Sequence, residues 1–156
     1  MSLAAGDLRQ MNLDGSVIHR FGVHKRTDDT LQAWFELLVR THRQDPFDLI
    51  HAYFLTQAGF VAVFAGNYLG LPTVVSARGN DLERAIFDPA RAAHVLFALR
   101  EASAVTTNSS DLARKARALV PALDVRVIPN GIDIELFRPK VVGKGVVHAV
   151  LRHRHF

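Results

Sequence analysis

The feature that most constrains the fold is a regular alternation of short apolar segments with segments of helical pattern along most of the chain. Five segments have the composition of strands, and helical patterns lie between them: GSVIHRFGV, FDLIHAYF, PTVVSA, SAVTTNS and DVRVIPNG. One strand and one helix together take roughly 20 to 30 residues, which is typical of parallel sheets. The pattern therefore predicts an α/β protein, a parallel sheet with helices on both faces.

Local signals mark where several of the helices begin and end. The expected capping residues are Thr27 or Asp28 for the first helix and Ser109 or Ser110 for the last one. A helix from about Thr56 to Leu69 is apolar on nearly all sides, so it is expected to lie against the sheet. It should end at Gly70 in the left-handed conformation that favours glycine.

Composition limits the class of protein. At 156 residues, with 49% hydrophobic and 22% charged residues, the chain fits one soluble domain with its own core. It has no cysteine, which excludes disulfides and thiolate metal sites and is compatible with a reducing cytoplasm. No secretion signal is recognised at the N-terminus, and Asn67 and Pro72 interrupt the most apolar stretch. A cytoplasmic location is expected.

Basic residues crowd near the end of the chain and account for part of its net charge of +4: Lys140, Lys144, Arg152 and Arg154. They are too few to predict a nucleic-acid partner. Two interpretations stay open, a solvated basic surface and peripheral contact with anionic lipid headgroups or acidic substrates. The nearby histidines lack acidic neighbours of suitable spacing, so no metal site is predicted for them: His148, His153 and His155.

Polar residues lie at or directly after the ends of four of the predicted strands. In parallel sheets, ligands bind outside the carboxyl ends of the strands, where the loops enter the next helices. A single loop of this kind is explained by ordinary turn chemistry, but four on one edge favour a ligand site. The candidate residues are His51 and Tyr53; Arg78, Gly79, Asn80 and Asp81; Asn108 and Ser109; and Asn130, Gly131 and Asp133.

Four segments occur in the order FDLIHAYFLTQAGF, LGLPTVVSARGNDL, EASAVTTNSSDLARKA and DVRVIPNGIDIELFRP. In content and order they resemble the N-terminal domain of the retaining GT-B glycosyltransferases of family 4, over residues 16–139. The resemblance implies a Rossmann-like domain that holds the acceptor and faces, across a cleft, a second domain that holds a nucleotide sugar. It also implies transfer to an acceptor hydroxyl without a bound metal or other cofactor.

The SARGND segment matches the family pattern in part. Gly79 and Asp81 match, whereas Arg78 stands where the family usually has a histidine that reaches into the cleft. A guanidinium cannot exchange a proton near pH 7, but it can bind an anionic group of the acceptor or donor through two hydrogen bonds. Arg78 is thus the candidate catalytic residue. The alternative is a salt bridge from Arg78 to Asp81 or Glu83.

The resemblance assigns the other candidates to the cleft and to the hinge between domains. In HAYF, Tyr53 stands where the family often has a second histidine, while His51 is either a packed structural histidine or a functional one. The residues expected to line the acceptor side of the cleft are His51, Tyr53, Gly79, Asn80, Asp81, Asn108 and Ser109. The PNGID segment, with Asn130, Gly131 and Asp133, is expected to form the hinge.

The resemblance covers only part of a whole enzyme. Residues 1–15 are an unassigned leader, residues 16–139 a partial domain, and residues 140–156 an unassigned basic tail. The first strands of the family's domain and its donor domain are expected outside this chain, which by itself should be inactive. Their absence would expose apolar surface and backbone, so we expect either self-association or an altered placement of GSVIHRFGV.

Partners follow from the same reasoning. A sugar or a lipid-linked molecule is the expected acceptor, the nucleotide sugar should bind mainly to the missing domain, and no nucleic acid is expected. Two alternatives stay open: a stand-alone module that binds a nucleotide or sugar phosphate without catalysis, and a GT-B-like sugar nucleotide epimerase.

Overall fold

The structure is a computed structural model that describes residues 3–137. The basic residues and histidines of the segment 140–156 lie outside the described residues. The elements are β1 (Leu8–Leu13), β2 (Ser16–Phe21), α1 (Thr27–Gln44), β3 (Ile50–Tyr53), α2 (Gln57–Leu69), β4 (Thr73–Ala77), α3 (Asn80–Glu83), α4 (Pro89–Glu101), β5 (Ala104–Thr107), α5 (Ser110–Leu119) and β6 (Val125–Val127). A 3₁₀ turn, Ala85–Phe87, precedes α4. In the described part of the chain, no helix is long and apolar enough to cross a membrane.

Strands β3 to β6 form one parallel sheet in which each strand pairs with the next one along the chain. Connections between neighbouring parallel strands are almost always right-handed, so α2, α4 and α5 fall on the same face of the sheet. The predicted α/β architecture, a Rossmann-like parallel sheet flanked by helices, is confirmed. In residues 3–137, the helices that link successive strands all cover this one face, which we call the covered face, and not both faces as the sequence predicts, because the strands pair in the order of the chain.

Helix α2 packs unusually closely on β4, and Gly66 permits the approach. A Cβ atom on Gly66 would lie 2.2 Å from Cγ2 of Thr73, far inside van der Waals contact. The helix ends at Gly70, whose φ of 71° is left-handed and whose N–H donates to the Gly66 carbonyl, as the sequence predicts. A glycine inside an apolar helix thus serves helix–sheet packing here, and a second one ends the helix.

The predicted caps are correct for the last helix and wrong for the first. Ser109 caps α5 by accepting a hydrogen bond from the Leu112 backbone N–H at 3.3 Å. Helix α1 is capped by Arg26 without a side-chain hydrogen bond, and Thr27 and Asp28 lie inside its first turn. Acidic residues in that turn still favour the helix start, because they interact well with the positive end of the helix dipole.

The prediction that GSVIHRFGV opens the alternating series is wrong. Strand β2 pairs antiparallel with β1 in a separate two-stranded sheet, in which Leu13 lies opposite Ser16. Asp14 and Gly15 both have positive φ, 47° and 79°, as a two-residue hairpin turn requires. Of the two alternatives expected for this segment, the altered placement is the one observed, and self-association stays a prediction. The Asp-Gly pair was the local signal for this hairpin.

Alternate residues of the strands face opposite sides of the sheet. Val75 and Ala77 of β4 and Val105 of β5 join the core with Val95 and Leu99 of α4. On the other side, which we call the open face, the strands carry partly exposed and polar side chains, among them His51, Val74, Ser76, Ala104 and Thr106. The candidate site lies on the open face, at the carboxyl ends of the strands.

Candidate functional site

The carboxyl ends of the parallel strands surround a cavity of about 310 Å³ on the open face, which we call the cleft cavity. Six of the predicted site residues line it: His51, Tyr53, Arg78, Asn108, Asn130 and Gly131. They come from four different loops or strand ends, as expected for a parallel sheet. Ser76 and Thr106 line it as well and were not predicted as site residues.

Arg78 follows β4 directly and is held by two neutral groups. Its Nη1 donates a hydrogen bond of 2.7 Å to Oδ1 of Asn130, and its Cζ lies 4.5 Å from the centroid of the Tyr53 ring. The second contact is a cation–π interaction, which fixes the guanidinium plane without neutralising its charge. The site thus contains a preorganised positive charge with a polar amide on one side and an aromatic ring on the other.

The alternative salt bridge of Arg78 is not observed. Asp81 accepts a hydrogen bond from the backbone N–H of Arg78 rather than from its guanidinium, and Glu83 pairs with Lys115 at 2.5 Å. Within residues 3–137, Arg78 takes part in none of the ion pairs. Its charge therefore stays available to an anionic ligand.

Asp81 lies beneath the site and ties two strand ends together. Its side chain is 2% exposed and accepts hydrogen bonds from the backbone N–H groups of Arg78, at 3.1 Å, and of Leu55. Burial raises the pKa of this carboxyl above its ordinary value, and the backbone hydrogen bonds oppose that rise. Asp81 does not line the cleft cavity. It positions the loop that presents Arg78.

A line of hydrogen-bonded side chains crosses three strands on the open face. His51 Nε2 lies 2.9 Å from Ser76 Oγ, which lies 2.6 Å from Thr106 Oγ1. The His51 ring also packs beside Tyr53, with 4.7 Å between the ring centroids. We call His51, Ser76 and Thr106 the polar ladder. It turns the floor of the cleft cavity into a hydrogen-bonding surface.

The remaining predicted site residues have other positions. Gly79, with a φ of 110°, provides the sharp turn after Arg78, and the exposed Asn80 begins α3. Ser109 is occupied as the α5 cap, and Asp133 accepts hydrogen bonds from two backbone N–H groups in an exposed turn. None of these four lines the cleft cavity. Whether Asn130, Gly131 and Asp133 form a hinge stays a prediction.

Ser76 and Thr106 could have been found from the sequence. Side chains two residues apart share a face of a strand, so a polar Ser76 behind Arg78 in β4 had to face the same side as Val74. The parallel register then sets Thr106 opposite Ser76. Within the described part of the chain, no group of three or more His, Asp and Glu side chains is arranged to hold a metal ion.

A cavity with a cationic side chain at the carboxyl ends of the strands lies where parallel α/β sheets commonly bind polar ligands. The family model described as a glycosyl transferase 4-like domain matches residues 4–131. The chain belongs to this glycosyltransferase family. Membership of the family implies sugar-related substrates in general. No curated protein matches the chain significantly.

Proposed function

We propose that this chain is the acceptor-side domain of a retaining GT-B glycosyltransferase, which transfers a sugar from a nucleotide sugar to an acceptor hydroxyl. The observation that carries the proposal is the charge of Arg78 in the cleft cavity, which is held by Asn130 and Tyr53 and has no carboxylate partner among residues 3–137. Membership of the glycosyltransferase family supports the class of reaction.

In sugar transfer from a nucleotide sugar, negative charge develops on the departing diphosphate. A fixed cation stabilises such charge without reorganising during the reaction, which is the most effective form of electrostatic catalysis. Arg78 is suited to this task, or to holding an anionic part of the acceptor, but not to proton transfer, because a guanidinium keeps its proton. The hydroxyls and imidazole of the polar ladder supply hydrogen bonds that orient the acceptor sugar.

The nucleotide sugar is expected to bind mainly to a second domain. The isolated chain should then bind a nucleotide sugar no more tightly than about 1 mM, or about 4 kcal/mol. Calorimetry measures this directly, and micromolar binding would favour the stand-alone binding module instead. The hexosyltransferase type, a cytoplasmic location and peripheral membrane contact through residues 140–156 stay predictions.

Replacing Arg78 by Ala in the full-length enzyme tests the proposal. We expect kcat/KM to fall by about 30- to 900-fold, or about 2 to 4 kcal/mol, with the fold unchanged. Arg91→Ala is the matched control, because Arg91 is an exposed arginine of α4 that pairs with Asp88 away from the cavity. Full activity of Arg78→Ala would show that the SARGND segment is only a turn.

Arg78→His examines the departure from the family pattern. If histidine at this position restores or raises the activity, the position has a role common to the family and arginine is a variant of it. If Arg78→His is as inactive as Arg78→Ala, the function at this position requires a permanent charge.

A further inference from the structure

Phe54 has a backbone conformation that is unfavourable for its side chain. It follows β3 directly and has a φ of 71°, in the left-handed region that favours glycine. Among residues 3–137, the other non-glycine residue with a positive φ is Asp14, whose short polar side chain suits the hairpin turn. For a bulky side chain this region is a true outlier, because the Cβ atom crowds the following carbonyl oxygen.

Three hydrogen bonds at or beside Phe54 hold this conformation. The N–H of Phe54 donates to the Ser76 carbonyl oxygen and its own carbonyl oxygen accepts from the Gly59 N–H, both at 2.9 Å. Gly59 permits this approach, since a Cβ atom on it would lie 2.7 Å from the Phe54 oxygen. The next residue, Leu55, donates its N–H to the buried Asp81 carboxylate. Strained backbone that is held in this way is concentrated at active sites and ligand sites.

Core packing does not explain a phenylalanine at this position. Phe54 is 48% exposed and does not belong to the core cluster. Within residues 3–137, its ring takes part in none of the aromatic or cation–π contacts. The neighbouring Tyr53 differs, because its ring contacts both the Arg78 guanidinium and the His51 ring. Glycine at position 54 would adopt the same backbone without strain, so the ring itself needs an explanation.

Phe54 lies at the rim of the cleft cavity. Tyr53, which precedes it, and Ser76, which accepts its N–H, both line the cavity, whereas Phe54 itself does not. Its half-exposed ring therefore extends the cavity beyond the carboxyl end of β3. A ligand that is bound on the polar ladder and leaves the cavity on this side would meet the ring.

A pyranose ring matches this combination of groups. Its hydroxyl groups surround the ring and need hydrogen-bond partners such as those of the polar ladder. Its axial C–H groups form apolar faces. The face of an aromatic ring carries partial negative charge, so it attracts such C–H groups in addition to the apolar contact. An open-chain polyol has the hydroxyls but no such face.

We propose that Phe54 is a substrate-contacting residue whose ring packs against one face of the acceptor sugar, and that it selects a cyclic acceptor over an open-chain one. This inference rests on the proposed function and adds a specificity-determining residue to the same site. The hydrogen-bonded turn fixes the backbone that carries the ring before the acceptor binds, which reduces the ordering that binding requires.

NMR of the present chain tests the contact directly. The probes are methyl glycosides of common pyranoses, with glucitol as the open-chain control. With the phenylalanine rings labelled, the Phe54 signals, assigned through Phe54→Leu, should shift with at least one glycoside and not with glucitol. Phe64 is the internal control, because it is 49% exposed but lies on α2 against Phe35 and Phe60. Equal shifts for Phe54 and Phe64, or no shift of Phe54 with any glycoside, would overturn the proposal.

Two substitutions separate the ring from the strain. Phe54→Gly and Phe54→Ala both remove the ring, but glycine also relieves the backbone, so Phe54→Gly should unfold at a higher urea concentration than Phe54→Ala. In the full-length enzyme, both should raise the KM for the acceptor by about tenfold, the effect of losing one aromatic contact. Phe54→Tyr and the control Phe64→Leu should leave this KM unchanged. If KM follows stability instead, with Phe54→Gly close to the unmodified enzyme, the ring has only a structural role and the proposal is wrong.

A contact with another domain of the full-length enzyme gives a different result. Phe54→Ala would then lower kcat equally for all acceptors, and glycosides would not shift the Phe54 signals of the present chain. That outcome overturns the inference.

The full-length enzyme also distinguishes this inference from the proposed function. Sugar transfer that Arg78→Ala impairs, with an acceptor KM that Phe54→Ala leaves unchanged, would overturn the role of Phe54 and keep the function. Glycoside binding that depends on Phe54, with no transfer from any nucleotide sugar, would overturn the proposed function and keep the sugar contact.

Discussion

The two faces of the parallel sheet are built from the same strands but by different interactions. On the covered face, Val75 and Val105 are almost completely buried and pack against helices. On the open face, the residues that alternate with them form the polar ladder and the floor of the cleft cavity. One face therefore contributes apolar burial to stability, and the other presents hydrogen-bonding groups to a ligand.

Ser76 shows how the open face tolerates buried polar atoms. Ser76 is only 5% exposed, yet its hydroxyl lies between His51 and Thr106 and has both as hydrogen-bond partners. A buried hydroxyl without such partners would be strongly unfavourable, whereas a satisfied one is close to neutral. The open face is thus structured without an apolar core of its own.

The largest effect is expected on the covered side. Leu99 of α4 is fully buried in the core cluster, so Leu99→Ala removes apolar contacts and leaves a cavity. The free energy of unfolding should fall by about 2 to 5 kcal/mol, measured by urea denaturation. The exposed Phe87→Ala should change it by less than about 0.5 kcal/mol. A loss for Leu99→Ala as small as that control would show that the covered side is not the stabilising one.

A smaller loss is expected from the buried carboxylate at the strand ends. Asp81→Ala leaves the backbone N–H groups of Arg78 and Leu55 without their acceptor. The expected cost is about 1 to 3 kcal/mol in the free energy of unfolding. The loop after β4 should also lose order, which hydrogen exchange of the Arg78 amide would detect. Unchanged exchange at that amide would contradict the positioning role.

The free energy of unfolding should also depend on pH through the carboxyl group of Asp81. Burial raises the pKa of Asp81 in the folded state, so on increasing pH the unfolded chain loses this proton first. The contribution of Asp81 to stability is therefore greatest below the ordinary pKa of Asp and declines as pH rises through the raised pKa. Asp81→Asn should lack this decline when the two proteins are compared between about pH 3 and pH 7. A difference between them that is independent of pH would contradict the raised pKa.

The smallest effect is expected in the polar ladder. Ser76→Ala removes both of its hydrogen bonds, but water can reach the exposed His51 and the half-buried Thr106. The free energy of unfolding should fall by about 0.5 to 1.5 kcal/mol. A double-mutant cycle with Thr106→Val measures the coupling between the two hydroxyls. A loss equal to that of Leu99→Ala would remove the distinction between the two faces.

Much of the site could be predicted because the order of the strands along the chain and the residues at their ends can be read directly from the sequence. Arg78, Asn108 and Asn130 each lie at or directly after the end of a predicted strand, and parallel topology brings such positions to one edge. Ser109 and Asp133 also follow strands, but their oxygens are used by nearby backbone N–H groups. Residue type and position could not separate the residues that line the cavity from those that bind nearby backbone groups, because Asn, Ser and Asp are common both in turns and in ligand sites.

The sequence by itself determined the parallel α/β core, since the periods of strand and helix and the ends at Gly70 and Ser109 are encoded within a few residues of each other. Only the tertiary structure decided the contacts between residues far apart in the chain. The Arg78–Asn130 hydrogen bond spans 52 positions, and the ladder joins His51 to Ser76 and Thr106 across three strands. The turn of the β1–β2 hairpin was signalled locally by Asp14 and Gly15, but the separation of this hairpin from the parallel sheet belongs to the second group, because pairing depends on which edges are free in the folded chain. Local energies select elements, whereas the geometry of packing selects which polar side chains meet.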